Sequence, residues 1–151
     1  MKEWVVDASV AIKWFIPEIH SDAARRLRSQ DFRLHVPRLF DLEVGNILCK
    51  KIRRKELALN EAEEILGDLR QMPLLRHLDE PLTALAFRLA HTTGRSLYDS
   101  LYVALALTMR ARFVTSDQKL FRALAKTAWE THLCWVEDIP WDKGDKEDIT
   151  L

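Results

Sequence analysis

The stretch RSLYDSLYVALALTMRARFVTSDQKLF, Arg95 to Phe121, decides the reading of the fold. Leu97, Leu101, Ala104, Leu105 and Leu107 or Thr108 recur at helical spacing. Arg112 to Thr115 is short, apolar and closed by Ser116 and Asp117, so the pattern is helix followed by strand. Asp99 then stands in the first helical turn and Asp117 just past the end of the strand. Two carboxylates set by rigid elements at one edge of a sheet begin a metal site if the chain supplies others.

Working outward, Glu3 to Val6 reads as a strand, with Asp7 at its end and a helix-compatible run from Ala8 to Phe15 stopped by Pro17. Asp7 can equally be an N-cap. Ser21 and Asp22 start a helix to about Ser29. Arg33 to Val36 reads as a strand, with Pro37 in the first turn of a helix from about Arg38 to Arg54. Glu43 lies four residues after Leu39 and four before Ile47, on the apolar stripe of that helix, where an ionised carboxylate needs a cation, donors or water beside it. Asn60 looks like the N-cap of a helix over Glu61 to Arg70. Leu74 to Leu78 is a candidate strand, and Glu80 and Pro81 open a helix to about Thr92. Gly94 ends that helix, and Ser96-Leu-Tyr-Asp99 has the form of a capping box, which alone would explain Asp99. Asp117 can cap Gln118 to Thr127, and His132 to Val136 is the last strand. The expected architecture is a single-domain α/β/α sandwich with a mainly parallel central sheet over residues 1–138, followed by a charged, frayed tail at 139–151.

The chain has 151 residues, enough for one core, and its 23 basic and 23 acidic residues cancel, so global charge gives no argument for a nucleic-acid partner. Local basic blocks exist at Arg25, Arg26 and Arg28 and at Lys50, Lys51, Arg53, Arg54 and Lys55; these read either as solvated helix faces or as phosphate contacts. No apolar run reaches the ~20 residues of a membrane helix, and MKEW leads straight into a strand-like segment with no signal-peptide pattern. A cytoplasmic protein is expected. Cys49 and Cys134 form no CxxC pair and are read as buried thiols rather than a disulfide.

Asp7, Glu43, Asp99 and Asp117 each have a structural explanation, but one site accounts for all four. At ~5 Å and an effective dielectric near 20, each carboxylate pair repels by about 3 kcal/mol, so the cluster calls for a counter-charge. Oxygen-only donors favour Mg²⁺ or Mn²⁺ over Zn²⁺, since His20, His35, His77, His91 and His132 are scattered without ligand spacing.

In their order and spacing, VVDASVAIKWF, the Glu43 helix, SLYDSLYVALA and FVTSDQKLF resemble the PIN-domain family, most closely its VapC-type toxin members. The resemblance implies a metal-dependent endoribonuclease that hydrolyses RNA phosphodiesters through a metal-activated water. It also implies a cognate VapB-type antitoxin and a homodimer. The family's acidic quartet falls on Asp7, Glu43, Asp99 and Asp117, as metal ligands or catalytic groups, with Ser9 and Thr115 at its hydroxyl positions. Lys50, Lys51 and Arg53 are the candidates for RNA contact, on charge alone. The competing readings are a stand-alone nuclease, a non-catalytic interaction module, and a phosphoryl-transfer enzyme of the dehalogenase or receiver type. VVDASV argues against the last, lacking D-x-D and paired early acids.

Overall fold

The structure is a computed structural model that describes residues 2–29 and 31–141. Five strands, β1 (Lys2–Val6), β2 (Phe32–Pro37), β3 (Leu75–His77), β4 (Arg112–Thr115) and β5 (Leu133–Trp135), form one sheet in the order β3-β2-β1-β4-β5. Every pairing is parallel. The central strands read as continuous apolar runs because both faces are covered: Trp4, Val5 and Val6 of β1 and Phe113 and Val114 of β4 are buried.

Among the described residues seven α-helices cover the sheet: α1 (Ala8–Ala11), α2 (Ser21–Arg25), α3 (Leu39–Arg53), α4 (Leu59–Gln71), α5 (Thr83–Thr93), α6 (Leu97–Met109) and α7 (Gln118–Ala125). The chain builds outward from β1 to β2 and β3, then returns to lay β4 on the other side of β1. Between β1 and β4 the connections therefore leave in opposite directions. This is the switch point at which parallel α/β sheets open a crevice beyond the strands' carboxyl ends.

Several expectations shift in detail. The run after Asp7 is α-helical only to Ala11 and tightens to a 3-10 turn at Ile12–Trp14, and α2 does the same at Arg26–Arg28. Pro37 ends β2, paired with His77, instead of opening the next helix. α4 begins at Leu59, with Glu61 reaching back to the Ala58 N–H at 3.1 Å, so Asn60 lies inside the helix. Ala58 has no side-chain oxygen to complete a capping box. α6 is buried at seven consecutive positions from Ser100 to Ala106, because α5 packs along the side that a one-faced helix would leave to solvent.

Both cysteines are free, but Cys49 is exposed and only Cys134 is buried, so the expectation of two buried thiols holds for one. His35 and His77, far apart in sequence, are joined by the β2–β3 pairing: His35 Nδ1 lies 2.8 Å from His77 Nε2, and His35 Nε2 bonds Glu3 Oε2. The chain remains packed past residue 138, with Ile139 buried and the Arg26 guanidinium 4.0 Å from the Trp141 ring centroid. Residues 142–151, most of the expected tail, lie outside the described residues. Among the described residues no helix is long and apolar enough to cross a membrane.

Candidate metal centre

Asp7 directly follows β1 at the switch point, and its backbone N–H donates to Val114 O of β4 at 3.1 Å. Although it holds the N-cap position of α1, its side chain makes no capping bond. Its Oδ2 instead accepts from Thr115 Oγ1 at 2.7 Å and Ser9 Oγ at 2.8 Å. Asp7 is 7% exposed, and burial pushes its carboxyl up to about 6. The two hydroxyls oppose that rise, and the charges of Asp99 and Asp117 add to it. Its Oδ1 accepts no hydrogen bond among the described residues.

The hydroxyl pair also ties β1 to the turn after β4. Asp117 N–H donates to Thr115 Oγ1 at 3.0 Å, and Ser116 N–H to Ser9 Oγ at 3.4 Å. Asp117 in turn caps α7, its Oδ1 accepting from Leu120 N–H at 3.1 Å. That bond uses one carboxylate oxygen and leaves the other for a second role.

Glu43 sits on α3, half-buried, with Oε2 accepting from Tyr102 Oη at 3.2 Å. Burial and the nearby Asp7 charge push Glu43 up to about 7, against the Tyr102 hydrogen bond, with Asp99 adding to the rise. Tyr102 is fully buried on α6, and burial, Asp7 and Glu43 hold its phenol well above the ordinary range. Asp99 lies in the first turn of the same helix. Ser96 Oγ caps the Asp99 N–H at 3.1 Å, whereas the Asp99 side chain pairs with Arg95 at 3.2 Å. The box is therefore half-formed. Burial raises Asp99, Arg95 opposes it, and Asp117 adds to the rise.

Asp7 and Asp99 thus raise Glu43, and Asp99 and Asp117 raise Asp7, although these acids come from the end of β1, α3, α6 and the turn after β4. Among the described residues their one ion pair is Asp99 with Arg95. The buried Asp7 and the half-buried Glu43 and Asp99, all shifted upward, make an all-oxygen donor set whose chemistry suits a hard divalent cation. In geometry the set is open: among the described residues no three His, Cys, Asp or Glu side chains converge as a ready coordination group. Arg95 and Tyr102 each hold one oxygen of the set.

Tyr102 and Arg95 are the contributors that sequence reasoning missed. Both carry a signal in the Asp99 segment: Tyr102 lies three residues after Asp99 on the same helical face, and Arg95 just precedes the Ser96 cap, within reach of the first turn. Lys50 and Arg53 are exposed on the last turns of α3, with Lys50 two turns, ~11 Å, beyond Glu43. Lys51 is engaged by Glu18 at 3.2 Å and Glu56 at 3.8 Å. A cavity of about 780 Å³ lies elsewhere, between α3 and α4, and none of the four acids lines it.

An all-parallel sheet with acids gathered at its switch point places the chain among α/β proteins whose sites lie in the crevice beyond the strands' carboxyl ends. Within that class the chain belongs to the PIN domain family, whose model matches residues 4–127. Among its curated relatives is Ribonuclease VapC3 of Pyrobaculum aerophilum, 37% identical over 118 residues that cover 77% of this chain and 90% of the relative. Solved structures share the fold. PAE2754 from Pyrobaculum aerophilum superposes with a TM-score of 0.63 at 24% identity, over 81% of this chain and 79% of that one. A toxin-antitoxin complex from Klebsiella pneumoniae gives 0.56 at 13% identity, over 86% and 94%.

Proposed function

We propose that this protein is a Mg²⁺- or Mn²⁺-dependent endoribonuclease and the toxin of a VapBC-type pair. The observation that carries the reading is the gathering of Asp7, Glu43 and Asp99 at the carboxyl edge of a PIN-domain sheet, where burial and neighbouring acid charge raise all three carboxyls. The ribonuclease name of a relative 37% identical supports it. Asp7, Glu43 and Asp99 would hold the cation, directly or through water, and Asp117 would complete the set. A bound divalent ion supplies Lewis-acid activation of a water and neutralises charge gathering on the phosphate. The chain's own groups do the rest. Ser9 and Thr115 fix the Asp7 carboxylate by donating to Oδ2, which leaves Oδ1 without a hydrogen bond among the described residues. Tyr102 fixes Glu43, and Arg95 balances the charge of Asp99. Neither hydroxyl has a histidine or lysine bonded to it among the described residues, so neither is activated as a nucleophile. Lys50 and Arg53 would meet the RNA backbone along α3.

Two surfaces support the partner readings. The α3–α4 cavity, with Leu42 and Leu59 exposed on its lining, suits an amphipathic antitoxin segment. Phe87 and Tyr98, 70% and 61% exposed on α5 and α6, suit a homodimer contact.

The test is cleavage of RNA by the protein freed of any bound partner, with Mg²⁺ or Mn²⁺ and with chelator. Metal-dependent cleavage that Asp99→Asn lowers by ~100-fold or more is expected. Cleavage that ignores chelator, or none in either metal, would overturn the reading.

A further inference from the structure

Beside the acidic site, on its β5 side, is a second concavity that the chemistry above does not use. It has a volume of about 300 Å³, the small end of the range for ligand pockets, and is lined by His20, Gln118, Phe121, Arg122 and Trp135. Its position follows from the fold. Trp135 ends β5 in register with Thr115, the residue whose hydroxyl holds Asp7. Gln118 directly follows Asp117, and Gln118, Phe121 and Arg122 share one face of α7 by their spacing.

The lining has the make-up of a stacking platform. The rings of Phe121 and His20 both meet Trp135 at steep angles, 62° and 78°, with 5.6 Å between centroids, so the three rings cluster without stacking flat on one another. His20 is held in this place at some cost. Its backbone is left-handed, at φ 68°, and its Nδ1 lies 2.6 Å from Glu137 Oε1. Phe121 and Trp135 are half-buried, whereas Gln118 and Arg122 are exposed at the rim. Neither rim side chain has a hydrogen bond or ion pair among the described residues. Half-buried aromatics with free amide and guanidinium donors above them match what single-stranded RNA offers: a flat base with a hydrogen-bonding edge and an adjoining phosphate.

We propose that this pocket seats one unpaired RNA base at a fixed offset from the scissile phosphate. Trp135 and Phe121 provide the apolar and aromatic bed, and Gln118 and Arg122 contact the base edge or its phosphate. The inference rests on the ribonuclease reading and extends it to a base subsite.

The experiment is an abasic scan. A single-stranded RNA oligonucleotide that the wild-type protein cuts is remade as a series, with one abasic nucleotide moved position by position. Cleavage is compared for the wild type, Gln118→Ala/Arg122→Ala and Trp135→Ala, and unchanged melting temperatures verify the fold. The exposed pair serves as the probe if Trp135→Ala unfolds. In the wild type, cleavage should fall about tenfold when the abasic nucleotide stands at one fixed offset from the cut. In the variants the intact RNA should already be cut more slowly, and the extra abasic penalty should largely vanish. Cleavage with no penalty at any offset, or a penalty undiminished in the variants, would overturn the base subsite and leave the ribonuclease reading standing. Absence of cleavage of every intact oligonucleotide by the wild type would overturn both.

Discussion

Glu43 illustrates how a single side chain can be costly to the fold and useful to a site. Burial and the Asp7 charge raise its carboxyl to about 7, so the folded protein binds this proton more tightly than the unfolded chain does. A raised carboxyl contributes stability that is full below the unfolded value of 4.5 and is lost as pH climbs through about 7. In metal-free buffer, Glu43→Gln should therefore gain melting temperature relative to wild type as pH rises from 4.5 to 7. Thermal scans at several pH values measure this, and a difference independent of pH would show that Glu43 is not titrating as described. The sequence revealed the position of Glu43 on an apolar stripe, since that follows from helical spacing. The Tyr102 bond to it was not legible, because it depends on how α6 crosses α3.

Among the elements, the helix starts separate what a pattern can and cannot say. The Ser96 cap and the Asp117 cap are both present, because a capping residue and its amide are neighbours in the chain. Asp7 had the same local credentials and does not cap; its partners, Ser9 and Thr115, include one that is 108 residues away. Long-range pairing also explains the missed His35–His77 contact and the strand-bound Pro37. Asp117 is then doubly employed, and the two roles can be pulled apart. Asparagine caps as well as aspartate, so Asp117→Asn should hold its melting temperature while RNA cleavage falls by ~10-fold or more. Asp117→Ala should lose the same activity and about 1 kcal/mol of stability as well. Denaturant melts with cleavage assays distinguish them. Full activity in Asp117→Asn would reduce this residue to a cap.

For the whole molecule, strand order makes the site: reversing direction after β3 sets β4 beside β1, and this alone brings Asp7, Thr115 and Asp117 into one crevice. Alternating helix and strand patterns made the parallel α/β class legible, and the carboxyl ends of the strands followed from it. The sheet order, and with it the neighbour relation between β1 and β4, had no local signal. Charge links the acids across these elements, and the proposed function requires that they act as one divalent-cation site. Calorimetric titration of Mn²⁺ into the isolated protein tests it most directly. Saturable binding is predicted, tighter at pH 7.5 than at pH 5.5 because the protons on Asp7 and Glu43, raised to about 6 and about 7, compete with the metal. It should be lost or greatly weakened in Asp7→Asn and in Asp99→Asn. No saturable binding, or binding that both variants retain unchanged, would contradict the claim.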